Sequence, residues 1–251
     1  MTVEHPQDEA GLRAVGRIVA DVLARMLAAV EPGITTAELD GLGERWLAER
    51  GARSAPRLSY DFPGATCISI NEEAAHGIPG RRRIAPGDVV NVDVSAELDG
   101  YFADTGGTTV APPAGPVERR LCHATRDALA AAMGQIRAGQ PINAVGRAVE
   151  RVARRHRFRV IRNLGGHGVG RSLHEAPDGI LSWWDPADRR VLREGMVIAV
   201  EPFLSTRSTM VREAADGWTL LAEPGSRSAQ FEHTMIVTRG APIVLTLPPE
   251  P

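Results

Sequence analysis

The sequence predicts an α/β protein of the α+β kind, built from one plan used twice. Three observations carry this expectation. Paired helix-period patterns are followed by strand patterns, and the same order starts again after Pro112-Pro113. The segment Gly87-Asp88-Val89-Val90-Asn91-Val92-Asp93 matches Gly195-Met196-Val197-Ile198-Ala199-Val200-Glu201 in order and character, with an acid closing each copy. Gly33-Ile34-Thr35-Thr36-Ala37 similarly answers Gly139-Gln140-Pro141-Ile142-Asn143-Ala144, and Ala103-Asp104-Thr105 is echoed more loosely by Phe231-Glu232-His233. Chance likeness between two strands is the competing explanation at this point.

The elements follow in order. A first helix is expected over 11–30, where Leu12, Val15, Ile18, Val19, Val22, Leu23, Met26 and Leu27 recur at helical spacing before Glu31-Pro32-Gly33 ends it. Thr35 or Thr36 caps a second helix that runs to Arg50 and stops at Gly51. Strands are expected at 66–70, 88–96 and 101–110, the last two joined by an Asp99-Gly100 turn. The second copy gives helices over 117–137 and 142–157, then strands near 159–162, 196–204, 218–221 and 230–238. Residues 1–10 read as a short polar tail. A single domain is expected over 11–251, with half-repeats at about 11–111 and 117–246.

Composition narrows the chemistry. With 251 residues, 43% hydrophobic and 24% charged, the chain has the balance of an ordinary globular protein with a sizeable core. A net charge of −2 advertises neither a nucleic-acid nor a membrane partner, and Arg81-Arg82-Arg83 reads as a solvated turn. No run of about 18 apolar residues suggests a membrane helix. The N-terminus lacks the order of a signal peptide, and Cys67 and Cys122 are too few for a disulfide framework, so a cytoplasmic location is expected. All 29 basic residues are arginine. Without lysine there is no Schiff base, no P-loop lysine and no protein-kinase strand lysine, which removes pyridoxal enzymes, Walker-type nucleotidases and kinases.

The remaining chemistry gathers on acids and histidines. Val90, Val92 and Val94 alternate with Asn91, Asp93 and Ser95, which puts Asp93 on the face away from the valines. Past the Asp99-Gly100 turn the returning strand brings Asp104 back as an expected cross-strand neighbour of Asp93. If the two halves pack about a pseudo-twofold axis, Glu201 and Glu232 join them. Four ionised carboxylates at one place repel one another unless a cation neutralises them, and divalent ions held by carboxylate and imidazole are the natural remedy. His167, in Gly165-Gly166-His167-Gly168-Val169-Gly170, is read as a further ligand; a phosphate-binding loop fails for want of the GxGxxG spacing. His76 and His174, each before a proline-containing turn, are placed to donate hydrogen bonds to a developing oxyanion or to the scissile amide. Cys67, in an apolar strand, reads as pocket lining and not as a nucleophile. No Gly-x-Ser-x-Gly elbow supports serine catalysis. Trp183-Trp184 is expected to pack.

Taken together, Cys67-Ile68-Ser69-Ile70-Asn71-Glu72 with His76-Gly77-Ile78-Pro79, Asn91-Val92-Asp93-Val94 with Asp104-Thr105, Gly166-His167-Gly168-Val169-Gly170-Arg171 with His174-Glu175-Ala176-Pro177, Val200-Glu201-Pro202, and Ser228-Ala229-Gln230-Phe231-Glu232-His233-Thr234 resemble the type I methionine aminopeptidase family. The resemblance runs from about residue 10 to residue 246. It implies the pita-bread fold, internally duplicated with the site between the halves, and removal of N-terminal methionine from peptides and nascent proteins with small second residues.

The resemblance further implies two divalent ions, from among manganese, iron, cobalt and zinc. Asp93 would chelate one ion, His167 with Glu201 the other, and Asp104 and Glu232 would bridge them. Glu201 would handle the proton of a bridging water, His174 would polarise the scissile carbonyl, and His76 would contact the peptide near the cleaved bond. Phe62, Cys67 and Trp218 match positions lining the methionine pocket. Leu173 departs from a common phenylalanine, and Pro56 and Ser59 from positions often held by cysteine and tyrosine, which opens the side-chain preference. The same likeness suggests a monomer and leaves room for ribosome association. Two rivals stand: an Xaa-Pro or broader aminopeptidase on the same fold, and a non-catalytic binding module that has lost its metal ligands.

Overall fold

The structure is a computed structural model that describes residues 1–247; the last four residues of the expected domain, 248–251, lie outside the described residues. The first half runs α1 (Pro6–Ala28), α2 (Thr36–Ala48), β1 (Arg53–Ser54), α3 (Ala55–Tyr60), β2 (Cys67–Ile70), β3 (Glu73–Ala75), β4 (Val89–Leu98) and β5 (Tyr101–Val110). The second half runs α4 (Pro116–Met133), α5 (Asn143–His156), β6 (Arg159–Val160), β7 (Gly165–Gly168), β8 (Glu175–Leu181), β9 (Val197–Val200) and β10 (Phe203–Ser205). It ends with β11 (Arg212–Glu213), β12 (Leu220–Leu221), β13 (Ser228–Gln230), β14 (His233–Ile236) and β15 (Ile243–Val244).

Each half lays helices on an antiparallel sheet. In the first, β1, β4 and β2 lie in that order and β5 completes the other side of β4. Val90, Val92 and Val94 point from β4 into a core with Val15, Val19, Val22 and Met26 of α1. In the second, the order is β15-β14-β9-β7-β8, with α4 and α5 supplying Leu121, Leu129, Val145 and Val149 to a separate core. Burial of these apolar faces is what fixes which strand face is left for chemistry. Of two smaller sheets, β13-β10-β6 lies within the second half, and β11-β12-β3 joins the halves through β3.

Several boundaries differ from expectation, each for a local reason. The stretch expected as a tail is packed: α1 starts at Pro6, which suits a first helical position, and Asp8 accepts from the Glu4 and His5 N–H groups. The Val3 N–H then donates to the Gly195 carbonyl at 2.8 Å. The strand expected over 196–204 breaks at Glu201-Pro202, because proline has no N–H for the ladder, and the chain passes from β9 in one sheet to β10 in another. The strand expected over 230–238 likewise breaks at Phe231-Glu232 between β13 and β14. Trp183 packs as expected, its Nε1 donating to the Arg162 carbonyl, whereas Trp184 is 41% exposed beneath Arg147. Cys67 and Cys122 are both free thiols, and among the described residues no helix is long and apolar enough to cross a membrane.

Candidate metal centre and substrate cleft

The β4–β5 hairpin sets the first two acids. Asp99 and Gly100 both take positive φ, 52° and 80°, so Leu98 pairs directly with Tyr101. Counting along the ladder from that tight turn, Asp93 falls opposite Gly106 and Asp104 opposite Ser95. The expected cross-strand neighbours are thus diagonal ones. The two-residue offset keeps both acids on one face, where their carboxyl groups hydrogen-bond to each other.

The second pair of acids is held against the first by a seam of hydroxyl and amide groups. The Asp104 N–H donates to Thr234 Oγ1 at 2.9 Å, and that hydroxyl donates to the Asp104 carbonyl at 2.7 Å. Thr105 Oγ1 donates to the Glu232 carbonyl, and the Glu232 N–H to the Gly106 carbonyl, both at 2.9 Å. Gln230 spans the seam: its Nε2 donates to Glu232 Oε2 at 2.9 Å while its Oε1 accepts from Asn91 Nδ2 at 2.8 Å. A Cβ at Gly106 would lie 2.2 Å from Gln230 Oε1, so a larger residue there would push the Gln230 amide out of these bonds. Both second-half acids thus sit where the chain changes sheets, which frees their side chains from either ladder.

His167 arrives on β7, paired with Ala199 of β9. Neighbouring Gly166 permits this approach, because a Cβ there would be 2.1 Å from the Ala199 carbonyl oxygen. His167 Nδ1 lies 2.9 Å from the Gly168 carbonyl, which can only accept, so Nδ1 carries the proton and Nε2 keeps its lone pair. That lone pair faces Glu201 Oε1 at 3.6 Å and Asp104 Oδ2 at 3.8 Å. Burial, then the nearby His174, holds the His167 pKa down to about 3, so the ring is a neutral donor at ordinary pH. Asp104, His167 and Glu232 each offer a ligand atom, all within 4.8 Å of one another.

The electrostatics of this cluster are those of a site made for a cation. Burial first, and the Asp104 charge next, push Asp93, Glu201 and Glu232 well above the usual carboxylate range. Burial raises Asp104 to about 6, opposed by hydrogen bonds from Asp93 and the Thr105 N–H. Asp104 Oδ1 and Glu232 Oε1 are buried with no hydrogen-bond partner. Such orphaned oxygens are costly in an interior unless something positive meets them. The donor set of four carboxylates and one neutral imidazole fits divalent ions.

Beside the acids opens a cavity of about 290 Å³. Asp93, Asp104, His167 and Glu201 form its floor, His76 and His174 reach it from two loops, and Pro56, Phe62, Cys67, Leu173 and Trp218 supply apolar wall. Phe62 meets Trp218 edge-on with ring centres 5.2 Å apart. Cys67 pairs in register with Asp93, and burial raises its thiol well above the ordinary value, in keeping with a lining residue. His76 takes a positive φ of 54°, which turns its ring off the end of β3. Ser59 does not line the cavity; its neighbour Tyr60 does, with its hydroxyl 2.7 Å from His174 Nδ1.

Residues 10–239 match the metallopeptidase family M24. The chain belongs to metallopeptidase family M24. Among M24 relatives it is 46% identical to methionine aminopeptidase 2 of Bacillus subtilis, over 98% of this chain and 99% of that one. It is 45% identical to a methionine aminopeptidase of Staphylococcus epidermidis over 98% of each. Among solved structures, the methionine aminopeptidase of Thermotoga maritima superposes with a TM-score of 0.93 at 32% identity, covering 98% of this chain and 100% of that one. The prolidase of Pyrococcus furiosus shares the M24 fold at a TM-score of 0.78 and 20% identity, but the match covers only 66% of that longer chain. The pita-bread architecture expected from the sequence is the one these M24 structures share.

Sequence reasoning missed three contributors to the site. Gln230 and Thr234 stand in the motif around Glu232 and Tyr60 beside Ser59, but an amide, a hydroxyl and a phenol form no metal-ligand pattern, so none carries a role legible in the sequence. Tyr60 did leave a trace: Ser54 followed by Ala55-Pro56 is a helix start, and Pro56 and Tyr60 four residues apart share a face.

Proposed function

We propose that the protein is a metal-dependent aminopeptidase that releases N-terminal methionine from peptides and nascent proteins with small second residues. The observation that carries the reading is the juxtaposition of a buried acid–imidazole donor set with an open cleft walled by aromatic, sulfur and aliphatic side chains. Asp93, Asp104, His167, Glu201 and Glu232 would hold two divalent ions, with manganese, iron, cobalt and zinc all suited to the donors. Such ions, when bound, make water nucleophilic at neutral pH and stabilise negative charge on an attacked carbonyl.

The chain's own residues supply the rest. Glu201, held by Gln230 and facing His167, is placed to take the proton of the attacking water and return it to the leaving amine. His174, on the cleft side away from the valine core, donates to the substrate carbonyl oxygen as charge develops there. His76, which lines the same cavity, contacts the peptide near the cleaved bond. Phe62, Trp218, Cys67 and Leu173 receive an unbranched thioether, for which sulfur–aromatic contact is favourable. Leu173, smaller in girth than an aromatic residue, leaves that wall broader. Cytoplasmic residence, a monomeric state and contact with the ribosome during synthesis belong to the same proposal.

Cleavage of Met-Ala-Ser against Ala-Pro peptides, followed by amino-acid analysis of the released residue, tests the specificity. Free methionine is expected to appear at least ~100-fold faster than free alanine, since the aromatic and sulfur lining of the pocket suits a long apolar side chain. Faster cleavage of Ala-Pro would assign the protein to the proline-directed branch of the fold.

A further inference from the structure

We propose that Tyr60 is the positioning residue that sets the tautomer of His174, so that His174 presents an N–H, and not a lone pair, to the substrate. The direction in which that proton is used rests on the aminopeptidase reading above.

The local fold brings the two rings together from distant parts of the chain. Helix α3 is only six residues long, capped by Ser54 Oγ and ended by Asp61 in the left-handed region at φ 55°. Pro56 and Tyr60, four residues apart, therefore face the same way, and both line the cavity. The reversal at Asp61 turns Phe62 back into the same cavity. His174 comes from the loop before β8, 114 residues further on, and its Nδ1 lies 2.7 Å from Tyr60 Oη. The rings are 5.5 Å apart and inclined at 51°. Among the described residues, no other hydrogen bond reaches the His174 ring.

A neutral imidazole donates from one nitrogen and accepts at the other, and the partner of one nitrogen decides which. A phenol at neutral pH keeps its proton. Its oxygen shares electron density with the ring, so it donates more readily than it accepts. Tyr60 therefore donates to Nδ1, which leaves the His174 proton on Nε2. An Nε2–H can donate to a carbonyl oxygen that is gaining charge; an Nε2 lone pair would repel it. Tyr60 lies outside the acid cluster and is 44% exposed, so it can be altered without emptying the core.

The test is a long-range proton–nitrogen correlation spectrum of zinc-loaded, nitrogen-labelled protein, with the His174 signals identified by their loss in His174→Gln. In the wild type His174 is expected as the pure Nε2–H form. In Tyr60→Phe the two tautomers are expected to mix, with kcat on Met-Ala-Ser lower by about 3- to 10-fold, the scale of one neutral hydrogen bond, and KM little changed. A proton on Nδ1 in the wild type, or an unchanged tautomer in Tyr60→Phe, would overturn the proposal. So would mixed tautomers with wild-type kcat. The spectrum does not depend on turnover: an inactive protein whose His174 still loses its tautomer in Tyr60→Phe would count against the aminopeptidase reading and leave the pair intact.

Discussion

Glu201→Gln should reduce release of methionine from Met-Ala-Ser by about 10²- to 10⁴-fold, the contribution of a positioned acid–base group, while the chain still folds. The substitution keeps the shape of the side chain and a carbonyl oxygen to accept from Gln230, but the amide can neither take a proton nor lend a full negative charge to a cation. Folding should survive because Glu201 lies in the break between β9 and β10 and contributes no side chain to either apolar core. In metal-free protein the variant should melt higher than wild type, since one of the mutually repelling carboxylates is gone. Steady-state kinetics beside thermal melts would check both halves. Near-normal turnover would take Glu201 out of the mechanism.

Metal-free protein should lose stability as the pH rises from about 6.5 to 8. The sign follows from the folded-state pKa values. Asp104 is raised to about 6, and Asp93, Glu201 and Glu232 stand well above their ordinary range, so each of these acids holds its proton longer folded than unfolded. Below about pH 6.5 the buried His76, His167, His174 and His233, whose pKa values are lowered, act in the opposite sense; above it histidine is neutral in both states, and the stability the acids contribute falls as pH rises through their folded pKa values. Divalent ions should reverse the trend at neutral pH, because they bind the ionised, folded cluster: an ion at about 100 times its dissociation constant adds about 2.7 kcal/mol. Melting curves from pH 6.5 to 8, with and without manganese, would test this. A metal-free protein that grows more stable across that range would contradict the electrostatic account of the acids.

How much of this was legible in the sequence depends on how local the cause was. The duplication was legible because matched strands carry acids in matching places, Asp93 at the end of one copy and Glu201 at the end of the other. The face of Asp93 was legible from the alternation with Val90, Val92 and Val94. The register was readable too: a two-residue Asp99-Gly100 turn fixes Leu98 opposite Tyr101, and the diagonal placement of Asp104 follows by counting.

What was not legible is long-range. The seam joining Asp104 to Thr234 and Asn91 to Gln230 links residues about 130 to 139 apart, through hydroxyls and amides that occur everywhere in sequences. The breaks at Glu201-Pro202 and Phe231-Glu232 were read as continuous strands because their flanks keep a strand pattern on both sides. Tyr60 lay beside Ser59, the position singled out, and only the helical turn of α3 decides which of the two enters the cavity.

The most direct test of the central claim is methionine release from Met-Ala-Ser by a single preparation assayed as loaded with manganese, after exhaustive chelation, and after reloading. The account predicts activity, loss of nearly all of it on chelation, and recovery on reloading, with the chelated protein still folded at acidic pH. Full activity in the metal-stripped protein would contradict it.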